Sequence, residues 1–91
     1  MIEAKQAVAM AKAHVLELLS DERPQNIGLE EIEFDERSQR WLITVGFSRP
    51  WNQNALNVLA GTSVHRTFRT VALKADTGEF VSMKVRETGK S

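Results

Sequence analysis

The N-terminal part of the chain carries a hydrophobic stripe of helical period. Apolar residues recur every three or four positions between residues 4 and 19, and they fall within about 120° of a helical wheel. Pro24 disfavours helical backbone at the residue before it, so the helix must end ahead of it. The pattern predicts one amphipathic helix over residues 2–19. The stripe consists of Ala4, Ala7, Val8, Ala11, Val15, Leu18 and Leu19.

From residue 27 onward the apolar positions alternate with polar ones, which is typical of β-strands. The alternation predicts four strands, over residues 27–35, 40–48, 66–75 and 79–87. Leu29 is out of phase with Ile32 and Phe34, which predicts a β-bulge near Glu30 and Glu31.

The connections between the strands predict antiparallel pairing. Residues 35–39 are too few for a crossover and fit a hairpin. Asp76-Thr77-Gly78 favours a type I turn in which Gly78 supplies the positive φ of the following bulge. A longer loop, residues 49–64, joins the second and third strands. We therefore predict a single α+β domain over residues 1–91, with the helix packed on one face of a four-stranded antiparallel meander.

In this arrangement the alternation decides which side chains face the helix. The side chains that it predicts to face the helix are those of Val71, Leu73, Val81, Met83 and Val85. The outer face, on the other side of the sheet, is predicted to receive Leu42, Thr44, Phe68, Thr70, Ala72, Lys74, Phe80, Ser82, Lys84 and Arg86. An apolar face with a basic and hydroxyl rim is typical of an interaction surface, unless loop 49–64 folds over it and buries it.

The order of these elements resembles the PepSY-like and cystatin-like small domains of bacteria. The resemblance lies in the alanine-rich helix over residues 4–19, the tryptophan-bearing strand over residues 40–45, and the segment 74–81 with its Asp-Thr-Gly-Glu turn. It implies a cystatin-like fold and a role in binding or inhibiting other proteins, often proteases.

Composition excludes several classes of function. The 91 residues contain no cysteine, so there is no disulfide framework, thiolate metal site or cysteine nucleophile. His14 and His65 lie far apart in sequence, and no carboxylate lies at a spacing that would indicate a catalytic site shared with them. No metal-binding or phosphate-binding motif is present. We therefore expect no catalytic site, metal, cofactor or small-molecule substrate. The absence of a secretion signal or a long apolar run suggests a cytoplasmic protein.

Charge is balanced overall but segregated along the chain. Twelve basic and twelve acidic residues cancel, yet residues 21–36 hold seven acidic residues and one basic residue. Residues 66–90 hold six basic and three acidic residues. In a meander these segments become opposite edges of the sheet. Such charges either protect the edges from strand addition or let an edge pair with a partner or with a second copy.

These observations favour a non-enzymatic protein-binding module, such as an inhibitor, an immunity protein or an accessory subunit acting on a cytoplasmic bacterial partner. The expected contact residues are Leu42, Trp51, Phe68, Phe80, Lys84 and Arg86. Trp51 follows Pro50 in the long loop, where it is either a binding anchor or a lid on the core. A structural homodimer and an enzyme subunit without its own active site are further alternatives.

Single-stranded nucleic-acid binding is the other hypothesis, although the neutral total charge weighs against it. It would place the basic side chains of the third and fourth strands around two stacking phenylalanines. These residues are Arg66, Arg69, Lys74, Lys84 and Arg86 with Phe68 and Phe80.

Overall fold

An N-terminal helix lies across one face of an antiparallel sheet in the computed structural model, which describes residues 1–49 and 66–86. Helix α1 spans Ala4–Leu18 and is followed by a short 3-10 turn, Ser20–Glu22. The four strands are β1 (Gln25–Asp35), β2 (Arg40–Ser48), β3 (Thr67–Lys74) and β4 (Phe80–Val85). They pair in the order β1-β2-β3-β4, which confirms the predicted α+β meander.

Hydrogen bonds fix both ends of α1. The Ile2 N–H donates to the Ala75 carbonyl at 2.8 Å, so this residue extends towards the sheet instead of starting the helix. The Glu3 N–H is satisfied by the Gln6 side chain at 3.0 Å, which is half of a capping box. At the other end the Leu19 N–H donates to the Val15 carbonyl at 3.0 Å. After the 3-10 turn, Arg23 takes a left-handed conformation (φ 49°), and the chain continues into β1.

The core lies between α1 and the two central strands. Ala7, Ala11 and Val15 are fully buried on the helix. They pack against the inward-facing side chains of β2 and β3, which include Ile43, Val45, Phe47, Val71 and Leu73. The two alanines have no bulk beyond Cβ, so the helix axis can approach the sheet closely at these positions.

The predicted β-bulge in β1 is confirmed. Leu29 pairs with Val45 and Glu31 pairs with Thr44, which leaves Glu30 as the extra residue. A second irregularity follows Gln25, where Asn26 has a positive φ of 55°. At the other end of β1, the carboxylate of Asp35 accepts a 2.7 Å hydrogen bond from the Ser38 hydroxyl. This bond stabilises the charged form and lowers the pKa of Asp35 below its ordinary value.

One predicted orientation is wrong, that of Phe80. Ala72 pairs with Ser82 but Leu73 pairs with Phe80, so Val81 is an extra residue in β4. This bulge turns Phe80 to the helix side, where its ring centroid lies 4.8 Å from that of His14. For the residues after the bulge the predicted phase holds, because Met83 pairs with the inward-facing Val71 and Lys84 with the outward-facing Thr70.

Gly78 has the predicted positive φ, at 81°. A Cβ there would lie 2.7 Å from Cε of Met10, in addition to straining the backbone. We expect Gly78→Ala to lower the free energy of unfolding by about 1–2 kcal/mol, mostly because of the left-handed conformation. Urea denaturation followed by circular dichroism measures the loss. The same substitution in a Met10→Ala background removes the side-chain contact and leaves the backbone strain. An unchanged denaturation midpoint for Gly78→Ala would contradict this assignment.

Candidate interaction surfaces

The outer face of the sheet is crossed by the side chain of Arg86. Its Nη2 lies 2.7 Å from Oε1 of Glu31, which belongs to the opposite edge strand. Its Nη1 donates to the Thr44 hydroxyl at 3.0 Å, and the Thr44 and Thr70 hydroxyl oxygens lie 3.0 Å apart. Arg86 therefore links β4 to β1 across both central strands instead of projecting from the sheet edge.

A second ion pair crosses the same face. Nη2 of Arg66 lies 3.3 Å from Oε2 of Glu30, and its Nη1 donates to the Asn26 carbonyl at 2.9 Å. The pair passes over Gly46, where a Cβ would be 2.6 Å from Oε2 of Glu30 and 3.0 Å from Nη2 of Arg66. A glycine in the middle of β2 thus provides the space that the ion pair occupies.

Because of these contacts, the outer face exposes different groups from those that the sequence predicted. Thr44 and Ala72 are only 4% and 5% exposed, and Leu42 and Phe68 are half-buried. The large hydrophobic side chains that are exposed in the described part of the chain all lie elsewhere. Polar cross-links and small side chains fill this face, so it offers less apolar surface than the sequence predicted.

The structure brings four of the six predicted contact residues to the outer face. These are Leu42, Phe68, Lys84 and Arg86. Phe80 is not among them, because the bulge at Val81 turns it to the helix side. Trp51 and loop 49–64, apart from Arg49, lie outside the described residues.

The residues of the nucleic-acid hypothesis do not converge on one surface. Arg69 lies on the helix side, where its guanidinium carbon is 5.9 Å from the centroid of the Phe47 ring and burial lowers its pKa. Arg66 and Arg86 pair with glutamates, and Nζ of Lys74 lies 3.5 Å from Oε1 of Glu79. The two phenylalanines face opposite sides of the sheet. We therefore do not favour this function.

The two edge strands differ in how well they are protected. β1 is the longer strand, with eleven residues, but it has two irregularities and four acidic side chains, and both of these features discourage strand addition. β4 has six residues, of which Lys84 is the one charged residue. Its bulge at Val81 leaves the following residues in regular pairing with β3. No described segment pairs with the outer edge of β4.

The hydrogen bonds of β4 show which backbone groups point outward. The Arg86 N–H donates to the Phe68 carbonyl at 3.1 Å, so Arg86 points its backbone groups towards β3. Alternate residues of an antiparallel strand direct both their N–H and C=O groups to the same neighbour. Lys84 therefore also bonds to β3, whereas Met83 and Val85 direct their N–H and C=O groups to the outer edge.

Apolar side chains accompany these outward backbone groups on the helix side. Val85 is 67% exposed, Phe80 is 36% exposed and Met83 is half-buried. The His14 ring from α1 lies against Phe80, and Leu18, one turn further along the helix, is 52% exposed. We call the outward backbone of Met83 and Val85, with the side chains of Phe80, Met83, Val85 and His14, the β4 edge surface.

A shallow apolar groove of about 520 Å³ lies on the opposite flank of α1, beside β1. Its lining comprises Ala4, Lys5, Val8, Ala9, Lys12, Leu29 and Ile32. Leu29 is 43% exposed there. This groove adjoins the protected edge strand, so it lacks the accessible and regular backbone that the β4 edge surface has.

Sequence reasoning missed three members of the β4 edge surface, namely His14, Met83 and Val85. Met83 and Val85 fit the helix-facing alternation, and His14 lies at the margin of the helical stripe, so each was explained by packing. One signal was available in the sequence. The segment Phe80–Val85 carries fewer charged residues than β1, the other edge strand of the predicted meander.

Neither protein-family models, nor curated proteins, nor solved structures give a match to this chain. The resemblance to PepSY-like and cystatin-like domains therefore stays a prediction. In residues 1–49 and 66–86, no helix combines the length and the apolar content needed to cross a membrane.

Proposed function

We propose that this chain is a non-enzymatic protein-binding module that takes up an extended segment of another protein at the β4 edge surface. One observation carries the proposal: the outward N–H and C=O groups of Met83 and Val85 lie beside the exposed side chains of Val85 and Phe80. Strand addition uses this combination, in which main-chain hydrogen bonds provide affinity and neighbouring side chains provide specificity.

The geometry suits a short segment. Two residues of β4 offer four backbone groups, and each hydrogen bond formed contributes about 0.5–1.5 kcal/mol net. The added strand would extend the four-stranded sheet and cover apolar side chains that are now in contact with water. A module that sequesters a segment in this way could act as an inhibitor, an immunity protein or an accessory subunit, and we place its partner in the bacterial cytoplasm.

A homodimer through two β4 strands is a less favourable use of the same edge. In a two-fold pairing centred on Lys84, the two ammonium groups would be directly opposite each other. In a pairing centred on Val85, Lys84 would be opposite Arg86. The pairing centred on Met83 avoids both repulsions, so light scattering of the free protein remains a necessary control.

Val85→Pro tests the proposal. Proline removes the outward N–H of Val85 and leaves the bonds of Lys84 and Arg86 to β3 intact, since proline is tolerated at such edge positions. Peptides are first selected from a displayed random library on the immobilised full chain, and their affinity is then measured by fluorescence anisotropy. We expect Val85→Pro to weaken binding at least tenfold with little change in the thermal midpoint.

The control is Leu29→Ser, which changes an exposed apolar residue in the other edge strand. It should leave peptide affinity unchanged. In hydrogen exchange, the amides of Met83 and Val85 should become protected when peptide binds. Failure to select any peptide, or equal affinity for Val85→Pro and the parent chain, would overturn the proposal.

A further inference from the structure

We infer that the partner segment alternates apolar and acidic residues, with a carboxylate placed opposite Lys84. This inference rests on the proposed function and specifies its partner. It follows from the different chemistry on the two sides of β4. The helix side carries Phe80, Met83 and Val85, whereas the outer side carries Ser82, Lys84 and Arg86.

Lys84 is the cation that the β4 edge presents to a partner. It is exposed, and no carboxylate among the described residues lies within 4.0 Å of its ammonium group. Arg86 is directed away from the edge by its 2.7 Å contact with Glu31. A partner strand would therefore meet the charge of Lys84 first.

Backbone geometry strengthens this pairing. Lys84 bonds to β3, so in an added antiparallel strand the residue opposite it occupies a non-hydrogen-bonded pair. Side chains in such pairs are closest, with Cα atoms about 4.5 Å apart. An opposite charge at that position improves affinity by up to about fivefold, and a like charge reduces it similarly.

The neighbouring residues of the partner face the other side of the sheet. They form hydrogen-bonded pairs with Met83 and Val85, and their side chains point to the helix side. Val85 is 67% exposed there and Phe80 is 36% exposed, so apolar partner residues would bury both. The preferred order is therefore apolar, acidic, apolar, with a partner residue on each side of the carboxylate.

The same order occurs in this chain. Ile32, Glu33 and Phe34 follow one another in β1, where Ile32 and Phe34 pair with Ile43 and Trp41 on the helix side. A segment of this kind is therefore compatible with the two sides of this sheet. A peptide in which valine and glutamate alternate is a suitable probe, because its valines favour extended backbone and its glutamates supply the negative charge.

The test compares three peptides on the full chain: one with alternating valine and glutamate, one of the same composition with the glutamates adjacent, and one with lysine in place of glutamate. We expect the alternating acidic peptide to bind about tenfold more tightly than either of the others. Lys84→Glu should reverse the preference between the acidic and the lysine peptide. Lys5→Glu, on the exposed surface of α1, is the matched charge control and should preserve it.

The outcomes separate this inference from the proposed function. If all three peptides bind equally, lose affinity with Val85→Pro and ignore Lys84→Glu, the inference is overturned and strand addition stands. If library-selected peptides also bind Val85→Pro normally, both fail. Peptide-independent association of the chain, seen by light scattering and abolished by Val85→Pro, would identify a second copy as the occupant and would also overturn the inference.

Discussion

Phe47→Ala is expected to lower the free energy of unfolding by about 3–5 kcal/mol. Phe47 has the largest fully buried side chain in the described residues, and it lies near the end of β2, inside the core. Its ring also supports two cations, since the guanidinium carbons of Arg49 and Arg69 lie 5.7 and 5.9 Å from its centroid. Removing the ring creates a cavity and takes away the apolar surface on which these arginines rest.

A loss of this size is a large part of the total stability, which is about 5–14 kcal/mol for a domain of this length. Urea denaturation followed by circular dichroism should show a much lower midpoint with a similar slope. Leu16→Ala is the control, because Leu16 is 49% exposed and alanine preserves helix propensity. Should Phe47→Ala cost less than about 1 kcal/mol, the core would not depend on this end of β2.

The two edges of the sheet differ in the charges that they expose. On β1, acidic side chains and irregular pairing discourage contact with other strands, and Glu30 and Glu31 also bind Arg66, just before β3, and Arg86, just after β4. On β4, the side chain of Arg86 extends across the sheet. Lys84 is therefore the one charged side chain beside the part of β4 that pairs regularly with β3. Ion pairs within the molecule therefore neutralise part of the charge asymmetry that the sequence shows.

Features with a local chemical cause were predictable from the sequence. The limits of β2 agree with its alternation, the bulge at Glu30 follows from the displaced Leu29, and the conformation of Gly78 follows from its turn. Each depends on a few neighbouring residues. The order of the strands then followed from the short connections between β1 and β2 and between β3 and β4.

The orientation of Phe80 was not predictable in the same way. Phe80 and Val81 are adjacent and both apolar, so either residue can satisfy an inward-facing position. In the structure Phe80 pairs with Leu73 and contacts His14, and Val81 is the extra residue of the bulge. The choice depends on a contact with α1, a segment remote in sequence.

The candidate site was less accessible still to sequence reasoning. Which backbone groups of β4 point outward depends on its hydrogen bonds to β3, and the sequence does not contain that register. Likewise, Arg86 could be counted as a basic residue of the outer face, but its pairing with Glu31 requires the sheet to be assembled.

Ala11→Leu is expected to cost about 1–3 kcal/mol of stability, because it adds carbon atoms where α1 meets the sheet without free space. Ala11 is fully buried against the core, and leucine has nearly the same helix propensity as alanine, so the loss reports packing alone. Ala13→Leu, on the exposed side of α1, is the control and should be nearly neutral.

The same variant also tests whether packing in the core affects binding at the β4 edge surface. A larger side chain at position 11 should push α1 away from the sheet and so separate His14 from Phe80, whose rings now lie 4.8 Å apart. Under conditions where the variant remains folded, we therefore expect weaker binding of the alternating acidic peptide by Ala11→Leu and parent-like binding by Ala13→Leu. If Ala11→Leu were as stable as the parent chain, α1 would not be held against the sheet through its alanines, and the contact between His14 and Phe80 would need another cause.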